Sequence, residues 1–136
     1  MKYLWDTDTC IYWFKGIEKI KEGIKRVGEN NIAISIITLG ELNYGVYFSE
    51  YIEQNLERLA NFLTKVEITY LDEEIVEEYG KRKAKLRKEG RLIEDFDLLN
   101  ASVALNKNWT LVTNNLAHYE RIEGLKIENW LKERNL

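Results

Sequence analysis

Hydrophobic residues along the chain form short blocks whose spacing switches between that of strands and that of helices. Continuous or alternating apolar blocks of strand length occupy residues 2–5, 32–37, 66–71, 109–113 and 125–127. Apolar residues that return every three or four positions predict helices over residues 17–27, 39–48, 52–63, 73–89 and 97–106. Asp72 is a suitable N-cap for the fourth helix, and Gly90 ends it. Strands separated by helices predict an α/β fold with a central, mostly parallel sheet.

The length of the chain and the absence of linkers predict one domain. The 136 residues contain no proline, and no repeat or low-complexity stretch divides them, so we expect a single domain over residues 1–136. No apolar run is long enough to span a membrane, and Asp6 stands where a signal peptide would be apolar. The single cysteine, Cys10, cannot form an internal disulfide. We therefore expect a cytoplasmic protein.

Charge is distributed unevenly along the sequence. The formal net charge is −3, yet seven of the eleven residues from Lys81 to Arg91 are basic. Such a segment can hold the phosphates of a nucleic acid even in an acidic protein, or it can simply be the solvated face of a helix. The sequence leaves both interpretations open.

Acidic and amide side chains occur where the predicted strands end or helices begin. Asp6 follows the first strand, Glu41 lies four residues after the second, Asp97 begins a helix, and Asn114 and Asn115 follow the strand at 109–113. Taken singly, each is explained by a helix cap, an ion pair or a turn. Taken together, they lie at the edge where parallel sheets bind ligands.

Several kinds of site are excluded by residue type. One histidine and one cysteine cannot build a zinc site with the usual nitrogen and sulfur ligands, and neither a serine-hydrolase elbow nor a glycine-rich phosphate loop is present. Oxygen chemistry remains, in which carboxylates act with a hard cation.

Four ordered segments and a C-terminal ending resemble the motifs of VapC-type PIN-domain toxins. They are residues 4–8 (LWDTD), 35–42 (SIITLGEL), 93–99 (IEDFDLL), 111–115 (LVTNN) and 121–130 (RIEGLKIENW). The resemblance spans essentially the whole chain. It implies a PIN-like three-layer α/β/α sandwich and a Mg²⁺-dependent endoribonuclease that is the toxin of a type II toxin–antitoxin system, with Mn²⁺ as a substitute.

The resemblance also implies roles for single residues and a set of partners. Asp6, Glu41 and Asp97 match the acidic triad, as catalytic residues and metal ligands, and Asn115 falls at the fourth catalytic position. The implied partners are RNA as substrate, a cognate antitoxin protein and a second copy in a homodimer. Asp8 stands where asparagine is more usual, and Asn100 where similar chains usually have an apolar residue.

Two other functions fit part of this pattern. A phosphatase of the haloacid dehalogenase type would use Asp6 and Asp8 as its paired aspartates, although it expects threonine or valine where Cys10 stands. A receiver-like signalling domain would need an aspartate at the end of a middle strand and a lysine at a later strand end. Residues 113–115 offer Thr-Asn-Asn instead.

Overall fold

Five short parallel strands form the centre of the computed structural model, which describes residues 1–132. The strands are β1 Tyr3–Trp5, β2 Ile32–Ser35, β3 Glu67–Thr69, β4 Thr110–Val112 and β5 Lys126–Glu128. The α-helices are α1 Thr7–Phe14, α2 Glu18–Val27, α3 Ile36–Tyr47, α4 Ile52–Leu63, α5 Glu73–Lys88, α6 Asp95–Lys107 and α7 Leu116–Tyr119. Residues 133–136, which the single-domain prediction includes, lie outside the described residues.

The order of the strands determines where a ligand can bind. It is β3-β2-β1-β4-β5, and all four neighbouring pairs are parallel. Strands β2 and β3 lie on one side of β1. The chain then crosses to the other side of β1, where β4 and β5 complete the sheet. A crevice opens at such a switch point, beyond the carboxyl ends of the strands. Here that position is next to Asp6, at the end of β1.

Successive side chains of each strand pack alternately into two separate hydrophobic cores. Leu4, Ala33 and Leu111 are buried in one core, together with α5 and α6. Trp5 and Val112 are buried in the other, with α1 to α4. Successive strand residues point to opposite faces, so helices cover both sides of the sheet. The predicted three-layer α/β/α fold is confirmed, and the sheet is wholly parallel.

The structure differs from the sequence prediction at several boundaries. The prediction that β2 extends to Ile37 is wrong: the strand ends at Ser35, whose hydroxyl accepts a hydrogen bond from the Thr38 amide (3.2 Å) and caps α3. Ile36 and Ile37 are therefore helical despite their β-branched side chains. Helix α6 begins at Asp95, which places Asp97 inside its first turn rather than at its cap. Helices α1 and α7 were not predicted at all.

Within residues 1–132, no helix has the length and apolar character required to cross a membrane.

Candidate active site

Asp6 lies at the junction of β1 and α1, almost completely buried. Its carboxylate accepts a hydrogen bond from the Thr9 amide (2.9 Å) and so caps α1, while its own amide donates to the Val112 carbonyl of β4 (3.2 Å). Burial raises the pKa of Asp6 above its ordinary value, and interactions with Thr113 and Thr9 offset this only in part. Asp6 is thus both a helix cap and a desolvated carboxylate at the ligand-binding edge.

Asp97 lies in the first turn of α6 and is half-buried. Burial raises its pKa, while interactions with the side chains of Tyr119 and His118 lower it. The His118 Nδ1 atom is 3.8 Å from the Asp97 carboxylate, and it is 2.7 Å from the Asn115 amide nitrogen. His118 therefore lies between Asn115 and Asp97, a position that the sequence alone did not indicate.

Glu41 extends from the second turn of α3 and is half-buried. Its carboxylate accepts a hydrogen bond from the Thr7 hydroxyl (2.6 Å), which belongs to the residue directly after Asp6. This contact ties α3 to the start of α1. Glu41 also borders an apolar groove between α1, α3 and α4.

The buried hydroxyl of Tyr119, on α7, is within the electrostatic influence of all three predicted acids. Burial raises the pKa of Tyr119, and the charges of Asp97, Asp6 and Glu41 raise it further. All three predicted acids therefore act on one hydroxyl. That hydroxyl lies beside Asp97 but has no hydrogen-bond partner of good geometry among the described residues. Sequence reasoning missed Tyr119 because α7 was not predicted.

The donor set fits a divalent cation, although the side chains do not form a closed ligand cage. Within residues 1–132, no three His, Cys, Asp or Glu side chains lie close enough together to hold a metal ion. In the same residues, no lysine or arginine forms an ion pair with Asp6, Glu41 or Asp97. Oxygen donors of three acids without a paired lysine or arginine, next to a buried hydroxyl that lacks a partner among the described residues, are a donor set that a hard divalent cation suits.

The basic segment of α5 is largely occupied by contacts within the molecule. Its ion pairs are Lys81–Glu77 (3.3 Å), Arg82–Glu78 (3.1 Å), Lys83–Asp95 (2.9 Å) and Lys85–Glu123 (3.0 Å). Among the described residues, Arg87, Lys88 and Arg91 make no ion pair. The positive charge that remains for a phosphate is therefore concentrated at the C-terminal end of this segment.

The position of Asp8 argues against the phosphatase alternative. Asp8 is exposed in the first turn of α1, whereas Asp6 is buried at the helix cap. A paired-aspartate phosphatase needs both carboxylates at the same phosphorus atom. The receiver-like alternative lacks a lysine at the end of β4, where the residues are Thr113, Asn114 and Asn115.

Comparison with known proteins gives a consistent result. Residues 3–124 match the PIN domain family. The chain is 40% identical over 134 residues to Ribonuclease VapC2 of Rickettsia felis, covering 97% of this chain and 100% of that protein. It is 34% identical over 131 residues to the tRNA(fMet)-specific endonuclease VapC of Salmonella typhimurium, covering 96% and 98%. The crystal structure of VapBC2 from Rickettsia felis bound to a promoter DNA fragment contains a chain similar to this one, with a TM-score of 0.90, 39% identity and coverage of 96% and 99%.

Proposed function

The chain belongs to the VapC-type branch of the PIN-domain family, and we propose that it is a metal-dependent endoribonuclease, the toxin of a toxin–antitoxin pair. The observation that supports the proposal is the Thr7–Glu41 hydrogen bond (2.6 Å) directly after Asp6, together with the negative charge that Asp6, Glu41 and Asp97 all exert on the buried Tyr119 hydroxyl. Among the described residues, no lysine or arginine forms an ion pair with any of the three acids. This arrangement concentrates negative charge at the edge of the sheet where a substrate phosphate would bind.

We propose Asp6, Asp97 and Glu41 as the ligands of Mg²⁺, with Mn²⁺ as a substitute. Mg²⁺ binds through a few carboxylates and keeps water and substrate phosphate oxygens as its other ligands. When bound, the cation would lower the pKa of a water molecule and offset the negative charge that develops on the phosphorus centre.

The contacts of each acid suggest a separate task. The Thr9 amide restrains Asp6, so its carboxylate has little freedom to turn away from the sheet edge. The Thr7 hydroxyl orients Glu41. His118 and Asn115 lie beside Asp97 and can donate hydrogen bonds to a phosphate without adding another anion. In this proposal Asn115 is a catalytic residue that touches substrate rather than a strong metal ligand.

RNA is the proposed substrate class, and initiator tRNA is the first RNA to test. One relative is named a tRNA(fMet)-specific endonuclease, and it aligns with 96% of this chain. The proposed location is the cytoplasm, which contains such RNA and which suits a buried cysteine with no disulfide partner.

The proposed partners are a cognate antitoxin and a second copy of the chain. Several similar structures are VapBC complexes, in which a VapC chain is bound to VapB. A groove of about 230 Å³ between α1, α3 and α4 offers a docking place in this chain. It is lined by Ile11, Leu42, Val46 and Leu59, with Glu41 at its border. We propose that an apolar antitoxin segment fills it and that an arginine reaches the acidic site, because the planar guanidinium pairs well with carboxylates.

The test is cleavage of purified tRNA by the purified chain. Mg²⁺ or Mn²⁺ should support cleavage and EDTA should abolish it. Asp97→Asn should reduce the rate by about a hundredfold or more, since a metal contributes several kcal/mol to the transition state. Undiminished cleavage in excess EDTA would overturn the metal mechanism.

A further inference from the structure

A closed network of three buried polar side chains connects α6 to the start of α3. The Ser35 hydroxyl donates a hydrogen bond to the Asn100 carbonyl oxygen, and the Asn100 amide donates to the Thr38 hydroxyl (3.2 Å). The Thr38 backbone amide in turn donates to the Ser35 hydroxyl (3.2 Å). All three residues are at most 1% exposed. Buried hydrogen bonds of this kind fix the relative position of the elements they join, because breaking one leaves polar atoms without water.

The position of the network relative to the acids gives it a further role. Asn100 lies three residues after Asp97 on α6, so the two side chains lie on the same face one turn apart. Thr38 lies three residues before Glu41 on α3 and is related to it in the same way. The Asn100–Thr38 hydrogen bond therefore joins the two helices one turn behind the Asp97 and Glu41 carboxylates.

We infer that Asn100 is a positioning residue that sets the spacing of the Asp97 and Glu41 carboxylates for the divalent cation. The inference depends on the proposed function, because it concerns the same metal site. Asn100 touches neither the cation nor the substrate and acts through the two helices. The carboxylates need such support because, among the described residues, no lysine or arginine bridges them, so their spacing depends on how α6 and α3 are held together. Partners beyond the ligands themselves typically change metal affinity by about 10- to 100-fold.

The experiment compares variants of the full chain by calorimetric titration with Mn²⁺. Asn100→Leu removes both side-chain hydrogen bonds at similar volume. Thr38→Val removes the hydroxyl that accepts from Asn100, while Thr38→Ser keeps it. The control is Ser102→Ala, because the buried Ser102 hydroxyl donates only within α6, to the Leu98 carbonyl (2.8 Å). Melting temperatures in EDTA measure the purely structural cost of each change.

Asn100→Leu and Thr38→Val should each weaken Mn²⁺ binding by about tenfold or more. Both should also raise the Mg²⁺ concentration needed for half-maximal cleavage, while the rate at saturating metal changes little. Thr38→Ser should restore wild-type affinity. Ser102→Ala should lower the melting temperature without changing the affinity.

The result that would overturn the inference is a lower melting temperature with unchanged Mn²⁺ affinity in both Asn100→Leu and Thr38→Val. The network would then only stabilise the fold, as Ser102 does. Wild-type chain that binds no Mn²⁺, or Asp97→Asn that binds it equally well, would overturn the proposed metal site together with this inference. If Asn100→Leu fails to fold, Thr38→Val and Thr38→Ser still decide the question.

Discussion

Asp6 shows how one residue can serve the fold and the chemistry at the same time. It caps α1 through the Thr9 amide, yet burial keeps its pKa above the ordinary value of 3.8. The pKa of Asp97 is raised as well, also mainly by burial. A carboxyl group with a raised pKa in the folded state binds protons more tightly there than in the unfolded chain. The ionised acids therefore reduce the stability of the metal-free protein at neutral pH.

The contribution of Asp6 and Asp97 to the free energy of unfolding of the metal-free protein should fall as the pH rises from about 4 through their folded-state pKa values. In that range the folded state retains protons that the unfolded state has already released, so a rising pH favours unfolding. Asp6→Asn removes the contribution of Asp6 and keeps a good helix cap, since asparagine caps helices as well as aspartate. Its free energy of unfolding should exceed that of the wild type at pH 7, and this advantage should vanish near pH 4. Urea denaturation in EDTA between pH 4 and 8 measures both curves.

Asp95→Asn provides a control, because the pKa of Asp95 is shifted in the opposite direction to that of Asp6. The Asp95 carboxylate accepts a hydrogen bond from Lys83, which lowers its pKa. Its contribution to stability is therefore lost as the pH falls, so this variant should not gain stability at pH 7. Parallel stability curves for Asp6→Asn and the wild type would show that the burial of Asp6 has no energetic consequence.

The acidic site residues could be proposed from the sequence, whereas their neighbours could not. Asp6 directly follows an apolar strand, and Asp97 lies near a helix start, so local pattern marks both positions. Tyr119 and His118 reach the site only because α7 folds back beside α6. No local signal marks Tyr119 as the buried hydroxyl that lies beside Asp97. The role of Asn100 was equally hidden, because its partners lie 62 and 65 residues away.

At the level of elements, the longer helices could be predicted and the short ones could not. Helix α4 begins and ends where its apolar spacing indicates, at Ile52 and Leu63. Helix α1 is only eight residues long. Apolar or aromatic side chains occupy most of its length, so no amphipathic period is visible. Helix α7 has only four residues. Ile36 and Ile37 favour a strand locally, but the Ser35 side chain caps a helix that begins at Ile36.

The ion pairs of the basic segment, residues 81–91, determine which of its lysines can be tested for RNA binding. Lys85 is paired with Glu123, whereas Lys88 has no ion-pair partner among the described residues. Lys88→Glu should weaken RNA binding for all sequences and flatten its salt dependence by about one unit per lost phosphate contact. Lys85→Glu should have a smaller effect, because Glu123 already offsets that charge. Neither change should shift stability by more than a few tenths of a kcal/mol.

RNA affinity at several salt concentrations, with Ca²⁺ in place of Mg²⁺ to limit turnover, separates the two interpretations of this helix. The cleavage site should stay the same, since phosphate contacts carry no base information. An unchanged salt slope in both variants would mean that residues 81–91 are a solvated face and that RNA is held elsewhere.

On the scale of the whole molecule, the strand order was the feature that the sequence could not supply. The pattern of strands and helices predicts a parallel sheet but not that β1 lies between β2 and β4. That order creates the crevice beside Asp6 and leaves the apolar groove between α1, α3 and α4 directly next to Glu41. The proposed metal site and the proposed antitoxin groove therefore share Glu41 as a common border, so a segment bound in the groove would lie directly beside a proposed metal ligand.

Gly45 offers a way to block the groove without disturbing the acids. It lies on α3, lines the groove, and a Cβ atom added there would meet nothing within 4 Å. Gly45→Gln should therefore fold, gain about 0.5–1 kcal/mol from helix propensity and place its side chain in the groove. Antitoxin binding should weaken by roughly tenfold or more, because overfilling a packed contact costs about 1–3 kcal/mol. Nuclease activity without antitoxin should remain.

Gly80→Gln is the matched control, since Gly80 lies on α5 and a Cβ atom there also meets nothing within 4 Å. It gains the same helix propensity away from the groove, so it should bind antitoxin as the wild type does. Titration of nuclease activity with the proposed cognate antitoxin measures inhibition, and sedimentation at micromolar concentration reports whether the expected homodimer persists. Equal inhibition of both variants would mean that the antitoxin docks elsewhere. Loss of the dimer in Gly45→Gln alone would instead assign the groove to the second copy of the chain.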